Sequence, residues 1–97
     1  MALYAPHVYS DPARIASLEC LLDELPESAC VVLVLRDGSR VAGRVSAQPQ
    51  LQQFLDHDER PGVNAMVRMD DLGRPQQRHM VWLDSIEQVV PVPWREA

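Results

Sequence analysis

The chain has no lysine, and all nine of its basic side chains are arginine. Fourteen aspartate and glutamate residues outnumber them, which gives a formal net charge of −5. An acidic chain has no general attraction to nucleic acid or to an anionic membrane, because phosphate groups carry the same sign of charge. Nucleic-acid binding would therefore require a local cluster of arginines.

Other features are also missing, and each absence excludes a class of protein or site. No apolar run approaches the roughly 20 residues that span a bilayer, and the first residues lack the regions of a signal peptide. We therefore expect a cytoplasmic protein outside the membrane. Cys20 and Cys30 have no C-x-x-C partner, so we expect reduced cysteines and no zinc or redox motif. The four glycines are isolated, so no phosphate loop is present and we expect no cofactor.

The length and the hydrophobic content of 46% predict one domain over residues 1–97. Residues 1–9 show no periodicity and are interpreted as an arm. A helix is predicted over 11–25, because Asp11 and Pro12 are typical of a helix start and leucines then recur at spacings of three and four. Pro26 ends the pattern, since proline cannot continue the hydrogen-bond ladder.

The remainder, residues 29–93, is predicted to be mainly β. The first strand segment, 29–36, has apolar residues on both faces of the strand. We therefore expect one face to be covered by the protein interior and the other by the helix. Asp37-Gly38 predicts a tight hairpin into the alternating segment 40–46. Further strands are predicted by the β-rich segments 63–69, 78–83 and 89–92, with a brief turn at 84–86.

The strand pattern fails between residues 47 and 62, where glutamines, prolines and a charged run predict a long polar loop. Leu51, Phe54 and Leu55 suggest a short helical turn inside this loop. Residues 56–59 (Asp-His-Asp-Glu) are of the types that bind divalent cations, so an enzyme acting through a weak metal site is one hypothesis. The alternative, which we favour, is an exposed acidic loop, because the cluster lacks the spacing of a metal motif.

Two segments resemble the Sm-like family. The stretch from Val31 to Val45 is similar to the first Sm motif, in which a strand, an Asp-Gly turn and a glycine-bent second strand recur. The stretch from Trp82 to Pro91 resembles the end of the bacterial RNA chaperone Hfq, where an Ile-x-x-Val-Val-Pro sequence closes the barrel. The chain also resembles a small bacterial family described as an Sm-like variant. The resemblance implies one N-terminal helix followed by a five-stranded antiparallel Sm-like or SH3-like barrel.

The resemblance does not include the RNA contacts of the family. Where Hfq carries the Tyr-Lys-His triplet that grips uridine-rich RNA, this chain has Trp82, Leu83 and Asp84, and an aspartate at that rim would repel phosphate. The aromatic shelf that stacks adenine in Hfq falls on Val34, which cannot stack a base. We therefore expect a non-enzymatic binding or assembly module whose partner is a protein.

RNA binding is the alternative hypothesis, and three arginines carry it. Arg40 and Arg44 share one strand face, Arg36 lies beside the hairpin turn, and Arg68 or Arg78 would extend the patch across the sheet. The other interpretation of these residues is a solvated face that pairs with nearby acids.

Self-association is implied by the resemblance to Sm-like proteins. Their barrels assemble by pairing the fourth strand of one subunit with the fifth strand of the next, since both are exposed edges. We expect a dimer or a small ring. The residues expected at this contact are Val81, Leu83, Val89 and Val92.

Overall fold

The computed structural model describes residues 3–92, which form one α-helix, seven strands and one turn of 3-10 helix. The elements are α1 (Pro12–Asp23), β1 (Cys30–Leu35), β2 (Arg40–Val45), β3 (Gln52–Leu55), β4 (Pro61–Asn64), β5 (Met66–Asp71), β6 (Arg78–Trp82), the 3-10 turn (Leu83–Ser85) and β7 (Ile86–Pro91). The predicted end of the barrel at residue 93 lies outside the described residues. Within residues 3–92 no helix is both long and apolar enough to cross a membrane.

Five strands form one antiparallel sheet in the order β6-β5-β2-β1-β7. This confirms the prediction of a mainly β fold with one N-terminal helix and a five-stranded antiparallel sheet. The hairpin between β1 and β2 turns as its sequence predicts: Gly38 has a φ of 90°, and the Asp37 carboxylate accepts hydrogen bonds from the backbone and hydroxyl of Ser39.

Helix α1 begins as predicted and ends earlier than predicted. The Asp11 carboxylate accepts a hydrogen bond from the backbone N–H of Arg14 at 3.3 Å, which caps the first turn. The helix ends at Asp23 rather than at residue 25, because the backbone N–H of Glu24 already bonds in a tightened last turn. Leu18 and Leu25 are fully buried in the same core cluster as Val31 and Leu33 of β1.

The prediction that α1 covers the second face of β1 is wrong. Because the helix packs against the core face, Val32 and Val34 point to the opposite side and stay half-buried. We call this opposite side of the five-stranded sheet the outer face. It is formed by the side chains that alternate away from the core cluster.

The predicted long loop at 47–62 is wrong for residues 52–55 and 61–62, which lie in strands. Residues 52–55 and 61–64 form a two-stranded antiparallel sheet, β3–β4, so Phe54 and Leu55 lie in a strand and not in a helical turn. The predicted strand 63–69 is in turn divided at Ala65 into β4 and β5. This hairpin has few apolar residues, and its stability comes from distant contacts, including the edge-to-face packing of Phe54 on Trp82 with ring centroids 5.2 Å apart.

The N-terminal arm supplies the other distant contacts of the β3–β4 hairpin. The arm pairs with β3 at Leu55 and with β4 at Val63, where Tyr9 and Val63 exchange two backbone hydrogen bonds of 2.8 and 3.0 Å. It therefore crosses the hairpin from one edge to the other. Gly62 lies below this crossing, since a Cβ atom there would come within 2.8 Å of the Tyr9 nitrogen.

Candidate functional site

Four of the seven exposed arginines in residues 3–92 lie on the outer face of the sheet. Arg40 and Arg44 extend from β2 on this face, as predicted, and Arg68 of β5 and Arg78 of β6 extend from the neighbouring strands. All four are exposed. The one acid among them is Asp70, which is paired across the strands with Arg44 and lies 3.9 Å from the Arg78 Nε atom.

An apolar strip adjoins these arginines on the same face. It consists of Cys30, Val32 and Val34 of β1, Ala42 of β2 and Val90 of β7. Val90 is 38% exposed and the other four are half-buried. A cleft of about 560 Å³ opens at the end of the face beside Arg44, and Leu72, Pro75 and Val92 supply its apolar walls. The outer face therefore offers positive charge and apolar surface side by side.

Arg36, the third predicted arginine, is separated from the other two. Its Nε atom donates a hydrogen bond of 3.0 Å to the backbone oxygen of Asp84, at the turn between β6 and β7. The structure therefore brings Arg40 and Arg44 together and places Arg36 in a different site, a cleft formed with the N-terminal arm.

Asp84 anchors this second site and is almost completely buried. Its carboxylate accepts hydrogen bonds from the Tyr9 hydroxyl at 2.8 Å and from the Asn64 side-chain amide at 3.0 Å. Asn64 is fully buried and also donates to the backbone oxygen of His7 at 2.9 Å. The expectation of an aspartate on an exposed rim is therefore wrong, because arm and hairpin enclose the carboxylate.

Tyr9 links this network to the helix. Burial and the hydrogen bond donated to Asp84 raise the pKa of the Tyr9 hydroxyl, which is a protonated donor at neutral pH even at its ordinary value. The Arg14 guanidinium lies over the Tyr9 ring, 4.7 Å from its centroid, in a cation–π contact. The two arginines, Arg14 and Arg36, then line a cleft of about 630 Å³ whose remaining walls include Leu35 and Trp82.

The predicted interface residues fall in two groups. Val81, Leu83 and Val89 are buried in the core of their own chain, with Leu83 completely enclosed in the 3-10 turn, so their side chains are not presented to a partner. Val92 is half-buried at the end of β7. The strands themselves do lie at the edges of the sheet, so pairing of β6 with β7 through backbone groups stays a prediction.

The acidic loop at 56–59 forms the turn of the β3–β4 hairpin. The Asp56 carboxylate accepts hydrogen bonds from the backbone N–H groups of Asp58 and Arg60, both at 2.9 Å. The Arg60 N–H is the largest cause of the lowered pKa of Asp56. In the described part of the chain, no three histidine, cysteine, aspartate or glutamate side chains are grouped as metal ligands.

Sequence reasoning missed the network around Asp84, of which Tyr9, Arg14 and Asn64 are members. One signal was available, since Asn64 is the single polar residue in the apolar stretch Val63–Val67. A buried amide in such a position requires polar partners, because an unpaired one costs free energy. The partners of its side-chain NH₂ group come from residues 7 and 84, and nothing local in the sequence identifies them.

Comparison with known proteins agrees with this architecture. The chain is similar in structure to XC5848 from Xanthomonas campestris, whose crystal structure adopts a novel variant of the Sm-like motif. The two share 41% sequence identity and superpose with a TM-score of 0.90, over 96% of this chain and 100% of the other. The comparison with curated proteins gives no match. The sequence profile of a domain of unknown function, DUF3247, matches residues 2–92. The chain therefore belongs to the DUF3247 family, and its fold is an Sm-like variant.

Proposed function

We propose that this protein is a non-enzymatic binding and assembly module whose partners are proteins, and that its copies join through the edges of the five-stranded sheet. The observation that supports this proposal is the pair of open edges. Within residues 3–92, β6 and β7 each have a single neighbour in the sheet. An open edge presents unpaired backbone donors and acceptors, which a strand of another chain can complete.

The β6 edge offers more free backbone N–H groups than the β7 edge. The Leu83 N–H bonds to Ala65 and the Asp71 N–H bonds to Gln77, which fixes the alternation of the antiparallel ladder. The N–H groups of Arg78, Met80 and Trp82 consequently point away from β5. The Met80 side chain is 56% exposed beside them, so this edge combines free donors with apolar surface.

The β7 edge offers fewer outward backbone N–H groups. The Val92 N–H bonds to Cys30, so the alternation directs the backbone N–H of Val89 and the position of Pro91 outward. Pro91 has no N–H to donate, which removes one donor from this edge. An antiparallel pairing of β6 with β7 of a second copy uses the donors of β6 and the carbonyl oxygens of β7, and it gives a dimer or a small ring.

The test is a pair of substitutions at Met80 followed by sedimentation velocity. Met80→Pro removes an outward N–H without breaking a bond to β5, whereas Met80→Ala keeps the N–H and removes the side chain. We expect the wild type and Met80→Ala to associate and Met80→Pro to sediment as a monomer. Circular dichroism checks that all three are folded. A wild type that remains monomeric at high concentration, or a folded Met80→Pro that still associates, would refute the proposal.

The four exposed arginines of the outer face favour a second candidate function, RNA binding. This candidate predicts that a mixed-sequence single-stranded RNA binds with strong salt dependence, because phosphate contacts release counterions. Arg40→Ala/Arg44→Ala should then abolish binding. Arg60→Ala/Arg74→Ala, which removes two arginines from loops, is the matched control and should leave it unchanged. Absence of binding by the wild type at low salt excludes this function.

A further inference from the structure

Four of the nine exposed acids in residues 3–92 lie in one region. Glu19, Asp23, Glu24 and Glu27 are all exposed on α1 and on the turn that follows it. No basic residue occurs between Ile15 and Leu35, so nothing in this stretch neutralises them. We call this region the acidic helix surface.

The helical acids Glu19 and Asp23 lie on the opposite side of the sheet from the outer face, whereas the turn that carries Glu27 reaches the cleft beside Arg44. Leu18 and Leu25 attach the helix to the core cluster, which also contains the inward side chains of β1. The arginines extend from the other side of the same sheet. Acidic and basic residues are therefore separated in space: acids are in excess on the helix side, and arginines are in excess on the outer face.

We infer that the outer face binds the acidic helix surface of a second copy of this chain. Charge complementarity identifies this occupant, since Arg40, Arg44 and Arg68 would meet Glu19 and Asp23. The contact extends the proposed assembly function, and it differs from edge pairing because it uses side chains and not backbone groups. Since Glu19 and Asp23 face away from the outer face, it joins copies head to tail, and such a contact either closes into a ring or continues.

The apolar part of the outer face also matches a helix of this kind. Ala16 and Cys20 are exposed on α1 beside the acids, and their small side chains allow the helix to approach the strip that contains Val32 and Val34. Positive charge next to an apolar strip thus meets negative charge next to small residues.

Nucleic acid fits the same face less well. Single-stranded RNA gains affinity by stacking bases on aromatic rings as well as by phosphate contacts. Among the five strands of the sheet, Trp82 is the one tryptophan, tyrosine or phenylalanine, and its ring is already packed on Phe54. The valine side chains next to the arginines have no hydrogen-bond donor for a phosphate group. The face as a whole therefore favours the helix.

Charge exchange between two variants tests this inference in the full-length protein. Arg40→Glu/Arg44→Glu makes the outer face acidic, and Glu19→Arg/Asp23→Arg makes the helix basic. We expect each variant alone to associate about tenfold or more weakly than the wild type, because like charges then meet. An equimolar mixture should recover association, since each reversed surface then finds its complement. Association of the wild type should weaken as salt rises.

The matched control is a single change, Arg60→Glu in the β3–β4 turn, which alters the net charge by the same amount as Arg44→Glu on the outer face. It should sediment like the wild type. If Arg40→Glu/Arg44→Glu leaves sedimentation unchanged, or if the mixture does not recover, the inference is wrong. Loss of RNA binding in that variant with unchanged sedimentation would assign the face to RNA and overturn the inference.

These outcomes are distinguishable from those of the edge experiment. Association that depends on the Met80 N–H and not on the arginines supports edge pairing and refutes the helix contact. Association that depends on the charges and survives Met80→Pro supports the helix contact and refutes edge pairing.

Discussion

The Tyr9 hydroxyl donates a hydrogen bond of 2.8 Å to the carboxylate of Asp84, 75 positions further along the chain. This bond attaches the N-terminal arm to the turn between β6 and β7. The same carboxylate is held by Asn64, which reaches back to the arm at His7. Arm, hairpin and turn are therefore connected through one buried carboxylate.

Removing the Tyr9 hydroxyl should destabilise the protein. We expect Tyr9→Phe to lower the free energy of unfolding in urea by about 1.5–3 kcal/mol, because the bond is made to a charged group. Tyr4→Phe is the matched control. The Tyr4 hydroxyl is exposed and 3.3 Å from Glu59, so its loss should change stability by no more than about 0.5 kcal/mol. Equal effects of the two substitutions would contradict a special role for the Asp84 network.

Truncation of Leu83 distinguishes a core residue from an interface residue. Leu83 is fully buried, so Leu83→Ala should lower the free energy of unfolding by about 2–5 kcal/mol through the cavity it leaves. Val90→Ala, at an exposed site on β7, should cost much less. Urea unfolding at a fixed protein concentration makes the measurement. Unchanged stability together with weakened self-association would show that Leu83 is an interface residue and not a core residue.

Gly62→Ala should displace the arm from the hairpin. The added Cβ would lie within 2.8 Å of both the Tyr9 nitrogen and the Val8 Cβ. Because the nitrogen belongs to the backbone, the arm itself would have to move to relieve the clash. We expect a loss of about 1–3 kcal/mol and faster hydrogen exchange at the amides of Tyr9 and Val63. Gly73→Ala, where the nearest atom is 3.5 Å away, should leave both quantities unchanged. Protected amides in Gly62→Ala would show that the arm is not constrained there.

The pair of His79 and Asp71 should stabilise the protein in a pH-dependent way. A hydrogen bond of 2.8 Å from His79 and the backbone N–H groups of Arg74 and Gly73 lower the pKa of Asp71. Because the pKa is lower in the folded state than in the unfolded state, the stabilisation is present above the unfolded value of about 3.8 and is lost as the pH falls through the folded pKa.

The measurement is an NMR titration of the aspartate carboxyl groups. His79→Ala should move the pKa of Asp71 up towards its ordinary value, because the largest cause of the shift is gone. The pKa of Asp37, which the Ser39 hydroxyl lowers at a different turn, is the internal control and should not change. If the pKa of Asp71 is the same in both proteins, the backbone N–H groups alone determine it.

The elements that the sequence predicts well have local signals. Asp11 and Pro12 start a helix because a carboxylate caps free N–H groups, and Asp37-Gly38 turns a hairpin because glycine accepts a positive φ. The alternation along 40–46 separates the arginines from the core residues with no knowledge of the rest of the chain. The placement of Arg40 and Arg44 on one face was predictable for this reason.

The tertiary structure alone decided the features that depend on partners distant in sequence. The β3–β4 hairpin has a polar sequence typical of a loop, and it forms a sheet because the arm pairs with both of its edges. Asp84 is a buried anchor and not a rim charge because Tyr9 and Asn64 reach it from two other segments. Val32 and Val34 stay at the surface because α1 packs on the other side of their strand. Composition determined the excess of acid over arginine, and the fold decided that the helical acids lie on the opposite side of the sheet from the arginines of the outer face.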